Sequence, residues 1–218
     1  VYAQHPLGAM YYDGGGVPQD YAEAMRLYSL AAEQGFAESQ RSLGFMYQEG
    51  VGVPQDYEEA LRLYTLSAMQ GNARAQNNLG VMYDKGLGVT QSEVNAVRWY
   101  KLAAEQGLDS AQFNLAKSYM EGKGIQQNYS EAMKFFKLAA EQGFAAAQLE
   151  LGAVYGNGDG VPQDYVQAHL WFNLAAALGD EQAKKNRDTV AEDMTPQQIA
   201  EAQKLARQCL AQNYKNCN

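Results

Sequence analysis

The stretch from Ala37 to Gly71, AESQRSLGFMYQEGVGVPQDYEEALRLYTLSAMQG, returns 36 residues later as Ala73 to Gly107. It returns again from Asp109 and from Ala145, and half of it precedes, at Leu7 to Gly35. Leu at 7, 43, 79, 115 and 151 and Tyr at 11, 47, 83, 119 and 155 hold this register without a slip. Self-similarity at such a period marks stacked supersecondary units, none of which buries its apolar face alone. A chain of 218 residues would otherwise allow one or two ordinary domains. The repeat instead predicts one elongated all-α body, with units at about 1–35, 36–71, 72–107, 108–143 and 144–179.

Each unit reads as helix A, a glycine loop and helix B. Helix A runs from about Ala37 to Gln48, with Ser39, Leu43 and Tyr47 on one face. Gly44, Gly80 and Gly152 lie on that face, and Ala116 stands there in the fourth unit. A mid-helix glycine costs up to about 1 kcal/mol, so a close approach of the neighbouring helix backbone is the expected return. The loops, EGVGVPQ at 49–55 and its equivalents, carry two glycines two apart, the first placed as a left-handed helix C-cap. Helix B opens on Asp20, Asp56, Ser92, Asn128 or Asp164, all good N-caps. Glu23, Glu59, Glu131 and Gln167 follow at the spacing of a capping box, with Asn95 a poor substitute. Ala24, Leu27, Tyr28 and Ala31 give helix B its buried stripe.

The repeat ends near residue 182. Residues 183–218 read as atypical capping helices with a cysteine-bearing tail; Thr195, Pro196 and Gln198 open the last amphipathic helix. The formal net charge of −8 disfavours nucleic acid and anionic membrane as partners. No run of 18 apolar residues is present, so no membrane insertion is expected. The chain opens halfway through a unit without an initiator Met and is read as a processed or trimmed piece, so its lack of a signal peptide says nothing about export.

The pattern Ala-Gln-x-x-Leu-Gly-x-x-Tyr-x-x-Gly-x-Gly-Val-x-x-Asp-Tyr, then Ala, an aromatic pair and Ala-Ala-x-x-Gly, resembles the Sel-1-like repeat, a relative of the tetratricopeptide repeat with a longer loop. The resemblance covers residues 3 to about 183. It implies a right-handed α/α superhelix with A helices on the concave side, and a non-catalytic adaptor that holds a protein or peptide segment. It implies that many bacterial members are exported or act in host interaction. Its cysteine-rich branch is associated with β-lactams, but this chain lacks that branch's cysteine pair in every repeat.

Catalytic sets are missing from the sequence, and no cofactor or metal is expected. His5 and His169 are the two histidines, and His169, in place of Leu61, reads as a partly covered surface residue. There is no zinc spacing, no Ser-x-x-Lys and no Walker loop. Counted from the glycine before each helix A, offsets three, six, seven and ten point away from the inner stripe. Offset three carries Arg74; offset six carries Arg41, Asn77, Phe113 and Leu149. Offset seven carries Ser42, Asn78, Asn114 and Glu150, and offset ten carries Phe45, Val81, Lys117 and Ala153. Outward apolar residues among these mark a contact face, and one amide per unit at roughly 10 Å intervals suits an extended peptide. The alternative is that superhelix curvature covers them. The Tyr11, Tyr47, Tyr83 and Tyr119 stripe points inward. Partner binding is therefore expected at Phe45, Arg74, Asn78 and Val81, and at Phe113, Asn114, Lys117, Leu149 and Glu150. A β-lactam-binding or β-lactam-hydrolysing enzyme and a peptidoglycan or glycan binder are the competing readings; oligomeric state is left open.

Composition leaves Cys209 and Cys217 open between free cytosolic thiols and a bond. In an unbroken helix they would stand about 12 Å apart, too far for a disulfide, so a bond needs the chain to reverse, with Asn213 a suitable stop. The same C-x7-C spacing in the cysteine-rich branch implies a bonded pair locking a C-terminal hook over the solenoid's open end. That implies a periplasmic or secreted protein, with the cytoplasm as alternative.

Overall fold

The computed structural model describes residues 3–215 and 217. Among the described residues it has twelve α-helices and no strand. The A helices are α1 (Gln4–Asp13), α3 (Ala37–Glu49), α5 (Ala73–Lys85), α7 (Asp109–Glu121) and α9 (Ala145–Asn157). The B helices are α2 (Tyr21–Glu33), α4 (Tyr57–Met69), α6 (Glu93–Glu105), α8 (Tyr129–Ala140) and α10 (Tyr165–Ala177). Two further helices, α11 (Glu181–Glu192) and α12 (Pro196–Ala211), complete the chain. The repeats form an all-α solenoid of 36-residue helix–loop–helix units. Contacts divide it into two compact units, Val1–Gln106 and Gly107–Asn218.

In the first unit, Ala24, Tyr28, Leu43, Met46 and Leu63 form one buried cluster, and Ala60, Tyr64, Ala75, Leu79 and Met82 another. The mid-helix glycines sit where expected: an aromatic ring of the neighbouring helix fills most of the space they leave, with that helix's backbone close behind, the Ala96 carbonyl oxygen 3.3 Å from a Cβ on Gly80. A Cβ on Gly80 would lie 2.5 Å from Cε1 of Tyr100, and one on Gly44 3.0 Å from the Tyr64 ring. In the second unit Gly152 faces Phe172 in the same way.

Each loop is held by one repeated device. The N–H of the helix-B N-cap donates to the carbonyl of the A-helix tyrosine: Asp20 to Tyr11, Asp56 to Tyr47 and Ser92 to Tyr83, each at 2.9 Å. The loop glutamine donates to the next carbonyl, Gln55 to Gln48 and Gln91 to Asp84, each at 2.8 Å. The second loop glycine serves more than the turn. Gly88 has φ +65°, and a Cβ there would lie 2.5 Å from the Tyr57 carbonyl oxygen, at the start of the preceding B helix. Any side chain meets both left-handed strain and backbone.

The N-caps form as read: Asp56 accepts from the Glu59 N–H at 3.0 Å and Asn128 from the Glu131 N–H at 3.1 Å. The capping boxes of the B helices do not close. Glu23 and Glu59 turn to Arg26 and Arg62 at 2.6 Å, and Glu131 to Lys134 at 3.2 Å. A charge-assisted bond one turn ahead outcompetes the reach back to the N-cap. A full box is present at Thr195–Gln198 of α12.

A glutamine ladder joins successive units. Gln70 donates its amide to Oε1 of Gln40 at 2.8 Å, Gln106 to Gln76 at 2.7 Å and Gln142 to Gln112 at 2.8 Å. The next rung is broken, because Leu178 stands where Gln142 stood one repeat earlier. Gln148 still donates to the Ala140 carbonyl at 3.1 Å, but its Oε1 is buried without a hydrogen-bond partner. Leu178, 44% exposed, has room to change. Leu178→Gln is expected to raise stability by about 1 kcal/mol through the restored bond, read as a higher urea midpoint at unchanged slope.

Beyond the repeats, α11 packs on α10 as a further A helix would, but α12 does not pair with α11 as a B helix; it lies against α10. Its Ala202 joins Phe172, Ala175, Ala183 and Val190, while Ala206 and Cys209 join Ala139, Ala140, Ala147 and Trp171. The hook thus runs back over α10 to the α8–α9 corner, instead of over the end beyond α11. The chain reverses at Asn213 and Tyr214, with φ of 51° and 64°. The Tyr214 N–H donates to the Cys209 carbonyl at 2.9 Å, and the Tyr214 ring lies over Gly143. The Cα atoms of Cys209 and Cys217 come to 5.0 Å, a disulfide-capable spacing.

Candidate binding face of the A helices

The exposed ends of the A-helix stripes hold two pockets, one inside each unit. The first, about 290 Å³, lies between α1 and α3 over Tyr28, with Ala9, Tyr12, Asp13 and Phe45 around it. The second, about 390 Å³, lies between α9 and α11 over Phe172, with Ala153, Gly156, Asn186 and Thr189 around it. These are the same place in the repeat, four units apart: Ala9 aligns with Ala153, Tyr28 with Phe172, Ser42 with Asn186 and Phe45 with Thr189. The reason lies at offset ten. Phe45, Val81 and Lys117 put a long or branched side chain there, whereas Ala9 and Ala153 put a methyl group, and the space beside them stays open.

The residues expected to meet a partner divide. In the first unit, Phe45 is 36% exposed at the rim of the α1–α3 pocket, and Arg74 is exposed. Val81 and Asn78 are half-buried. Asn78 has an internal duty: its side chain acts on the buried Tyr64 hydroxyl, which lacks a hydrogen bond of ordinary length. Burial pushes that hydroxyl well up, and Asn78 opposes the shift. In the second unit, Lys117 is exposed and lies 5.9 Å above the Phe113 ring, while Asn114 and Glu150 are half-buried. Phe113 does not point outward: its ring is 5.8 Å from Phe136 and 5.3 Å from Phe144. Leu149 likewise packs toward the cluster of Phe172 and Val190. At these two positions the next helix covers the side chain. The tyrosine stripe is half-buried, with Tyr47 and Tyr83 packed on the core.

The histidines serve packing. His5 shares a 3.0 Å hydrogen bond with the Ser39 hydroxyl beside Tyr28 and Phe36, and burial lowers its pKa, with Glu38 opposing. His169 is buried, 4% exposed, contrary to the surface position expected for it, because α11 and its Arg187 cover that side of α10. Burial is the main cause of its lowered pKa, with Arg187 adding to it. Among the described residues, no group of three His, Cys, Asp or Glu side chains is placed to hold a metal, and no helix is long and apolar enough to cross a membrane.

Paired helices in strict 36-residue register define a helical-repeat protein. The Sel1 repeat model matches residues 1–36, 37–72, 73–108, 109–144 and 145–180, and the chain belongs to the Sel1 repeat family. Members of this family are generally non-catalytic scaffolds for protein interactions. Among solved structures, a Sel1 repeat protein from Oxalobacter formigenes is 30% identical over 94% of this chain and 84% of its own, with a TM-score of 0.82. A protective antigen present in uropathogenic Escherichia coli strains, with an SLR fold, is 33% identical over 98% of this chain, with a TM-score of 0.61. The chain spans 54% of that antigen's length. The immunity protein Pa5087 from Pseudomonas aeruginosa shares the fold at 21% identity, over 95% of this chain and 84% of its own, with a TM-score of 0.59. No curated protein matches the chain.

Proposed function

We propose that the chain is a scaffold that holds extended protein segments against its A helices, partner side chains being seated in the α1–α3 pocket and in the α9–α11 pocket. The observation that carries this reading is the recurrence of one pocket at register-equivalent positions, each opened by an alanine at offset ten. Within the first unit Phe45, Arg74 and Val81, and within the second Lys117 and Glu150, are the A-helix side chains offered to a bound segment. Export fits this role: the cysteine pair suits an oxidising compartment, and one relative is a protective antigen.

Selection of random displayed peptides on the whole chain tests the reading. Peptides that bind the parent are expected to lose at least tenfold in affinity when Ala9→Leu and Ala153→Leu fill the pockets, with the helical circular dichroism of the protein unchanged. If selected peptides bind the filled variant as well as the parent, the segment lies elsewhere and the reading fails.

A further inference from the structure

The α1–α3 pocket has the chemistry of a cation site, which says what kind of segment it takes; this rests on the scaffold reading above. Three aromatic residues, Tyr12, Tyr28 and Phe45, are among its lining, with the neutral ring of His5 5.3 Å from that of Tyr28. Its lining includes Asp13, the last residue of α1, whose exposed carboxylate makes no ion pair or hydrogen bond among the described residues. A helix C-terminus adds negative potential there. The neighbouring α3 also ends on a carboxylate, Glu49, and Asp13 and Glu49 both deepen the rise of the Tyr12 pKa that burial begins.

One cation already lines the pocket, and its charge is met by Glu38. Arg41 donates from Nε to Glu38 at 3.0 Å and from Nη2 to the Ser42 hydroxyl at 3.3 Å. Glu38 is fixed in turn by the Asn72 amide at 2.8 Å. A partner carboxylate would have to compete for Arg41, whereas a partner cation finds Asp13 unpaired. The net charge of −8 also draws a basic partner in and repels an acidic one.

We propose that the α1–α3 pocket takes a lysine or arginine side chain of the partner segment, its cation over the faces of Tyr12, Tyr28 and Phe45 and its charge met by Asp13. The pocket, of about 290 Å³, has room for one long side chain. Cation–ring contacts are strongest where water is partly excluded, which the seat over the buried Tyr28 provides.

The test is a titration of the isotope-labelled full chain, followed by backbone amide shifts at low salt. The probes are N-acetyl-arginine amide, N-acetyl-lysine amide and N-acetyl-glutamate amide. Either cation is expected to give saturable shifts in the last turns of α1 and α3, with no such response to the glutamate probe. Asp13→Asn, at an exposed position outside the core, is expected to weaken the cations about three- to tenfold, and Ala9→Leu to abolish the response. No cation response, an equal response to glutamate, or an Asp13→Asn variant that binds like the parent would overturn the proposal. The two readings fail separately. Peptides that depend on Ala9 yet carry no enriched Lys or Arg leave the scaffold standing and remove the cation site. Cation binding at Asp13 with no pocket-dependent peptide removes the scaffold reading instead.

Discussion

Gly80→Leu is expected to cost about 3 kcal/mol, the upper end of what overpacking a core does, and to lower the thermal midpoint by roughly 6–12 °C. The first side-chain carbon alone would stand 2.5 Å from the Tyr100 ring and 3.3 Å from the Ala96 carbonyl oxygen. Tyr100 is 4% exposed, so its ring has no open space to enter, and the backbone of α6 cannot yield without breaking its own bonds. Three further carbons make the α5–α6 pair part. The fourth A helix shows how much is tolerated: Ala116 holds the equivalent position, fully buried. Gly80→Ala should therefore cost far less than Gly80→Leu, since a gain of up to about 1 kcal/mol in helix propensity offsets part of the ring's displacement. Equal midpoints for the parent and Gly80→Leu would mean that the Tyr100 ring leaves its seat freely.

Whatever repeats was legible from the sequence; whatever distinguishes one copy from another was not. The 36-residue register placed every A and B helix, the N-caps and the left-handed loop glycines. It gave the second loop glycine, Gly88, no role of its own, because the surface it presses on, the start of α4, belongs to the preceding repeat. It assigned Glu23 and Glu59 to capping boxes, although Arg26 and Arg62 three residues on compete for the same carboxylates, and spacing alone does not say which bond wins. The helical-wheel count sent Phe113 outward because it treats a helix as bare, whereas Phe136 and Phe144 close over that ring. The pockets escaped for the opposite reason. Their cause, Ala9 and Ala153 where other A helices carry Phe45, Val81 and Lys117, lies in the alignment column itself but reads as an ordinary small residue. His169 and α12 lie where the repeat decays, and there no earlier copy predicts the neighbour.

Oxidised protein is expected to show no alkylatable thiol and a mass two hydrogens below that of the reduced chain, and Cys209→Ser with Cys217→Ser is expected to lose about 2–3 kcal/mol, the cost of opening so short a loop. Geometry favours the bond. The cysteines are eight residues apart in sequence yet 5.0 Å apart at Cα, and the reversal that brings them together places two consecutive non-glycine residues, Asn213 and Tyr214, in the left-handed region. Such a turn costs on the order of 1–2 kcal/mol per residue, more than the one bond from the Tyr214 N–H to the Cys209 carbonyl returns. A covalent clamp, with Cys209 and Cys217 both buried against Ala139, Ala147 and Trp171, supplies the difference. Reduction should therefore act on one place. Tyr214 should leave Gly143, and amides in the last turn of α12 should exchange faster, while those of α3 and α5 in the other unit keep their protection. Two reactive thiols in native unreduced protein would remove the clamp, and with it the structural reason to place this chain in an oxidising compartment.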